Sequence, residues 1–221
     1  MSTLKEKYRP RSLADVVGQP LVRQLQNLAR NPKSCCVLLE GATGTGKSTC
    51  AQALANDLGC VEGWQESVYT LCAADLDAET ARHYFGPASP FRFCAPGKGY
   101  HVLILEELEY MNKTVQVILK DALERLLAKY RVIVFATSND SSALPKPVLH
   151  RFGLKFAMSA GQSFADSVNG WLATVWEHEV GKDVPMPVGY QQFGWESEEF
   201  SARLALDRLE KCVIRYKEQR N

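Results

Sequence analysis

The sequence predicts an α/β fold: a doubly wound parallel sheet over residues 1–157, followed by a small α-helical domain over residues 158–221. Three observations predict it. Short continuous apolar runs recur at 35–39, 68–72, 101–105 and 131–136, and such runs suit strands buried on both faces. Segments with helical apolar spacing alternate with them, as crossover helices of a parallel sheet do. After Phe156 the strand pattern stops, and only helical stripes are visible from Ser163 onward.

The elements follow in order. Residues 1–12 are polar and basic, with Tyr8-Arg9-Pro10-Arg11 read as an extended arm. Ser12 or Asp15 suits the cap of a short helix. Leu21, Val22, Leu25 and Leu28 fall on one helical face. The strand at 35–39 runs into a Gly-rich turn and then a helix over 48–58. A strand at 68–72 is followed by a helix over 77–85 and a Pro- and Gly-rich loop over 86–99. The strand at 101–105 precedes a long amphipathic helix over 113–129, and the strand at 131–136 comes next. In the C-terminal part, Phe164, Val168, Leu172 and Val175 form one stripe. Leu204, Leu206, Leu209, Val213 and Ile214 belong to another. Pro185 and Pro187 exclude a single helix across 181–194.

Composition narrows the function classes. The 221 residues carry 26 Lys and Arg against 25 Asp and Glu, a net charge of +1. That excludes a strongly basic nucleic-acid coat but not a local basic face. The N-terminus has no apolar signal core, and no apolar window is long enough for a membrane span, so the expected compartment is the cytoplasm without membrane contact. Seven Cys without a C-x-x-C pair read as reduced, buried thiols rather than a zinc site.

Gly41-Ala-Thr43-Gly44-Thr45-Gly46-Lys47-Ser48 matches G-x-x-x-x-G-K-[ST] without a gap. Such a loop, with a strand before it and a helix after it, cradles phosphates with main-chain N–H groups and the helix N-terminus. Lys47 reaches the β- and γ-phosphates, and Ser48 ligates magnesium. The expected ligands are therefore ATP and Mg2+. The strand at 101–105 ends in Glu106-Glu107. The first acid is expected to hold magnesium and the second to polarise the attacking water. Thr137-Ser138-Asn139 follows the fourth strand, where an amide suits the γ-phosphate or the water.

These motifs, in this order, resemble those of the AAA+ ATPases, and most of all the clamp-loader subunits among them. Lys7-Tyr8-Arg9-Pro10 and Val16-Val17-Gly18-Gln19 look like that group's N-terminal signature beside the adenine. Thr70-Leu-Cys-Ala-Ala-Asp75, residues 111–116 and Leu119-Lys120 match further segments. The likeness covers most of residues 5–156. It implies ATP hydrolysis in DNA replication or repair, within an assembly of AAA+ subunits. It implies catalytic roles for Lys47, Glu107, Asn139 and Arg151, with Arg151 as an arginine finger reaching a neighbouring subunit's γ-phosphate. It implies nucleotide contacts from Tyr8, Arg9, Pro10, Val17, Gly18, the loop 43–49 including Thr49, and Arg203 of a sensor-2 helix. Magnesium falls to Ser48 and Glu106. The sequence differs from the pattern at Glu106, where Asp is usual, and at His150 and Phe152 beside the finger. The group's collar domain is not expected within these 221 residues.

The implied partners are a sliding clamp and primed DNA. Arg82, Lys113, Lys120, Arg125 and Lys129 offer a basic surface for the DNA phosphates. A helicase loader or remodelling adaptor is the alternative with a different client. A nucleotide-dependent scaffold that barely hydrolyses ATP is the alternative favoured by Glu106.

Overall fold

The computed structural model describes residues 3–60 and 66–220. In chain order its elements are helix α1 (Leu4–Lys7), helix α2 (Val22–Arg30), strand β1 (Cys35–Glu40), α3 (Lys47–Asp57) and β2 (Val68–Cys72). Then come α4 (Ala78–Phe85), β3 (His101–Glu106), α5 (Lys113–Lys129), β4 (Val132–Ser138), α6 (Lys146–Leu149) and β5 (Leu154–Ala157). The C-terminal part is α7 (Gln162–Val180), β6 (Trp195–Glu196), β7 (Glu199–Phe200) and α8 (Ala202–Glu218).

Strands β1 to β5 form one sheet in the order β2-β3-β4-β1-β5, with every neighbouring pair parallel. The alternation of side chains across the pleat sorts the core into two layers. Cys36, Leu38, Leu103, Leu105 and Val134 face α4 and α5. Val37, Leu39, Ile104, Ile133 and Phe135 face α2 and α3. All seven residues of β4 are buried, as a central strand covered on both faces requires. A third apolar cluster joins α7 and α8 through Phe164, Val168, Leu172, Phe200, Leu209 and Val213.

Besides α6, three stretches of the chain hold elements outside the sequence expectation. The strand β5 was not foreseen. It is a four-residue edge strand in which Leu154 and Phe156 are half-buried while Lys155 and Ala157 are exposed, so it has no continuous apolar run. The pair β6 and β7 interrupts the supposedly all-helical C-terminal part, joined through Ser197 in the left-handed region at φ 57°. The third is α1, at the start of the basic arm. Thr3 and Glu6 form a reciprocal capping box around it, and Leu4 is buried in the α7–α8 cluster. The capping-box pattern Thr3-x-x-Glu6 was legible and outweighed the arm's polar composition. Ser12 and Asp15 both serve as caps, bonding reciprocally around the 3-10 turn Leu13–Asp15.

The arm is fastened to the C-terminal helices by polar contacts as well. Lys7 and Tyr8 of the arm and Lys217 of α8 all bond the Glu179 carboxylate of α7. Burial alone would push that carboxyl up, but these three donors outweigh it and bring it down to about 2. The Leu4 N–H also donates to Glu210 of α8 at 2.9 Å. In packing terms, residues 3–8 belong with α7 and α8.

Candidate active site

The carboxyl ends of β1, β3 and β4 open on one cleft of about 670 Å³. This is where a parallel α/β sheet exposes the main-chain and side-chain groups that follow its strands. The loop after β1 forms its floor, and Gly46 caps α3 at φ 96°. A Cβ at Gly46 would meet nothing within 4 Å, so the left-handed backbone is what demands glycine there.

Lys47, the first residue of α3, turns back over its own loop. Its Nζ donates to the Gly41 carbonyl at 2.6 Å, the Ala42 carbonyl at 2.9 Å and Asn139 Oδ1 at 2.9 Å. Burial pulls the Lys47 ammonium below its ordinary value. The Glu109 carboxylate opposes that most strongly, Arg203 adds to it, and Glu107 and Glu199 oppose it further. Thr43 Oγ1 also donates to Asn139 Oδ1, at 3.3 Å.

The acidic pair stands at the end of β3. Glu106 closes the strand and lines the cleft. Glu107 has φ 57° and ψ 49°, a left-handed conformation rarely held by a non-glycine residue. Its N–H donates to Thr137 Oγ1 at 3.3 Å, which ties the turn to β4. Backbone strain of about 1–3 kcal/mol clusters at catalytic and ligand-clamping residues, and the exposed Glu107 lines the cleft.

The remaining walls come from the arm and from α7 and α8. Tyr8, Arg9, Pro10 and Val17 line the cleft together with Thr43, Gly44, Thr45, Gly46, Lys47, Ser48, Thr49, Glu106, Glu107, Asn139 and Arg203. Two expected residues lie elsewhere. Gly18 packs beside Phe164 and Ser167 of α7. Arg151, just after α6, does not line this cleft. Its Nε donates to the Lys120 carbonyl at 3.0 Å, and its guanidinium pairs with Glu124 of α5. On the basic surface, Arg82, Lys113, Arg125 and Lys129 are exposed on α4 and α5, and Lys120 is half-buried with Asp121 at 3.5 Å.

Several residues in or beside the cleft have contacts that the sequence did not assign to them. Gln19 Nε2 donates to the carbonyls of Thr45 (3.0 Å) and Ser159 (2.9 Å), and its Oε1 accepts the Ser159 N–H, so it pins the loop to the segment after β5. Phe164, Val168, Trp171 and Leu206 supply an apolar wall. The loop itself touches α8: the Ala202 N–H donates to the Gly44 carbonyl at 3.1 Å. Among the described residues no cluster of three or more His, Cys, Asp or Glu suits a metal, and no helix is long and apolar enough to cross a membrane.

Comparison with known proteins agrees with this fold. The model of the ATPase family associated with various cellular activities (AAA) matches residues 37–160, more than half of the chain. The replication factor C small subunit of Methanosphaera stadtmanae is 32% identical over 148 residues, covering 66% of this chain and 44% of that protein. Replication factor C subunit 2 of Arabidopsis thaliana is 30% identical over 151 residues, covering 67% of this chain and 44% of that protein. The chain thus spans less than half the length of these relatives. Thermotoga maritima RuvB, a Holliday junction branch migration motor, superposes with a TM-score of 0.67 over 92% of this chain and 64% of that chain, at 22% identity. A RuvB variant reaches 0.73 over 97% of this chain and 68% of that chain, at 18% identity. At such identities the structural likeness speaks for the fold alone. With the Gly41–Ser48 loop inside the matched segment, the chain belongs to the ATPase family associated with various cellular activities.

Proposed function

We propose that this chain hydrolyses ATP as a subunit of a clamp-loader-like assembly in DNA replication, handling a sliding clamp on primed DNA. One observation carries the reading. The loop with Lys47, the acidic pair after β3 and Asn139 after β4 come from separate stretches of sequence and line the same cleft. The names of the relatives support the replication setting.

In this reading the triphosphate lies along the loop, and its γ-phosphate draws Lys47 away from the carbonyls of Gly41 and Ala42. Glu107 polarises the attacking water, and Asn139 orients it or the γ-phosphate. Tyr8, Arg9, Pro10 and Val17 border the base, and Arg203 senses the phosphates from α8. Residues 158–221, with residues 3–8 packed against them, act as a lid on the sheet domain that makes up the rest of 1–157.

The donor set fits magnesium rather than a dedicated metal cage. Ser48 and Glu106 line the cleft and offer two hard oxygen ligands, the number this cation takes from protein when phosphates supply others. When bound, the ion would neutralise charge on the phosphates.

Arg151 does not line its own cleft, which supports action on a neighbouring subunit. The test is ATP turnover with magnesium, with and without primed DNA and clamp. Arg151→Ala is expected to lower stimulated turnover by roughly 10²-fold or more while ATP binding persists. Stimulated turnover unchanged by Arg151→Ala would remove the finger role. Glu106 favours a second reading, a nucleotide-dependent scaffold with slow hydrolysis, because its extra methylene alters the reach to the metal shell. Absence of turnover with magnesium, clamp and DNA all present would select that reading.

A further inference from the structure

We propose that Glu109 is a positioning residue for the γ-phosphate end of the cleft, acting by holding the Asn139 main chain in place. The inference rests on the triphosphate reading above and adds a residue to it.

Asn139 stands where the sheet can no longer hold it. The register of β4 with β3 ends at Ala136, and that with β1 ends at Ser138. The next N–H, that of Asn139, has no strand to donate to. It donates to Glu109 Oε1 at 3.0 Å. Glu109 lies in the 3-10 turn Leu108–Tyr110, directly after the strained Glu107. The carboxylate thus replaces the missing ladder bond and joins the tips of β3 and β4.

The Asn139 side chain explains why that matters. Its Oδ1 accepts from Lys47 and from Thr43, so its amide NH₂ is the group left to meet a phosphate oxygen. A main chain free to turn at 139 would carry that NH₂ away from the loop. At a catalytic site a misplacement of about 1 Å can cost about 10²-fold in rate.

Glu109 is also an expensive residue to keep for packing alone. Its Oε2 is buried without a hydrogen-bond partner, which costs about 1–3 kcal/mol for a polar group and more for a charged one. The Glu109 charge is also the strongest of the carboxylates supporting protonated Lys47 against burial. A methionine would fill the same volume without that cost, so the acceptor at Oε1 is the feature to test.

The test compares affinity for fluorescent mant-ATP and mant-ADP in the wild type, Glu109→Met, Glu109→Gln, Asn139→Ala and the Glu109→Met/Asn139→Ala double variant. Folding is checked by thermal melting, with Glu109→Ala as a second variant lacking the acceptor. The ATP:ADP affinity ratio is expected to fall about tenfold in Glu109→Met and to stay within about threefold of wild type in Glu109→Gln, which keeps an acceptor. The double variant is expected to be no worse than Asn139→Ala alone, because both changes remove one device. A wild-type ratio in a folded acceptor-less variant overturns the proposal, as does equal loss in Glu109→Gln or additive loss in the double variant. Should the wild type bind both nucleotides without turning ATP over, the hydrolysis reading fails while the affinity ratio still decides the role of Glu109.

Discussion

Glu107→Gln is expected to lower ATP turnover by roughly 10²–10³-fold and to leave ATP affinity within about threefold of wild type. Glutamine keeps the length and shape of the side chain but cannot take a proton from water. The loop and Lys47, proposed above to supply most of the attraction for the triphosphate, are untouched. The backbone offers an internal check. Glu107 is held at φ 57° by its place between β3 and the 3-10 turn, and glutamine meets the same strain. The melting temperature should therefore stay within about 2 °C of wild type, since only side-chain charge changes. Steady-state turnover, equilibrium binding and a melt together separate a lost general base from a lost fold. A variant turning over at the wild-type rate would remove Glu107 from the chemistry.

Gly44→Ala is expected to damage both stability and nucleotide binding. Gly44 has φ +83°, and a Cβ there would stand 2.0 Å from Ser201 Oγ and 3.2 Å from Arg203 Cβ. The hydroxyl cannot swing aside freely, because it caps α8 by accepting the Leu204 N–H at 3.3 Å. Left-handed backbone at a non-glycine residue costs about 1–2 kcal/mol, and a lost N-cap about 1 kcal/mol more. The sum, about 2–3 kcal/mol, corresponds to a fall in melting temperature of roughly 4–12 °C for a chain of this size. ATP affinity should fall at least about tenfold, because the same residue shapes the loop and docks α8 through its carbonyl. Adding Ser201→Gly removes the clash but not the backbone cost, so it should recover only part of the loss. Full stability in Gly44→Ala would mean that the loop and α8 are not coupled at this point.

The sheet was legible wherever burial on both faces forced continuous apolar sequence. Strands β1 to β4 and helices α2 to α5 lie within a residue or two of the expected spans. The same physics hid β5, whose edge position needs only Leu154 and Phe156 to be apolar. Two-residue strands such as β6 and β7 have no period to read. The order of strands was not legible either: nothing in 35–39 says that β1 lies between β4 and β5.

The site was legible where function requires residue types at fixed spacing, as in Gly41 to Ser48. It was silent where side chains act through the main chain of distant segments. Gln19 reaches Ser159, 140 positions along the chain, and Glu109 reaches Asn139, 30 positions along. The apolar wall of Phe164, Val168 and Leu206 read as ordinary core, because a helix face lining a cleft has the same spacing as one filling a core.

The direct measurement is titration calorimetry of ATP with magnesium into the wild-type chain and into Lys47→Ala. One ATP is expected to bind per wild-type chain, with affinity at least about 10²-fold weaker once the Lys47 ammonium is removed from the desolvated loop. Equal binding by the two proteins, or no heat from the wild type with ATP or ADP at any accessible concentration, would contradict it.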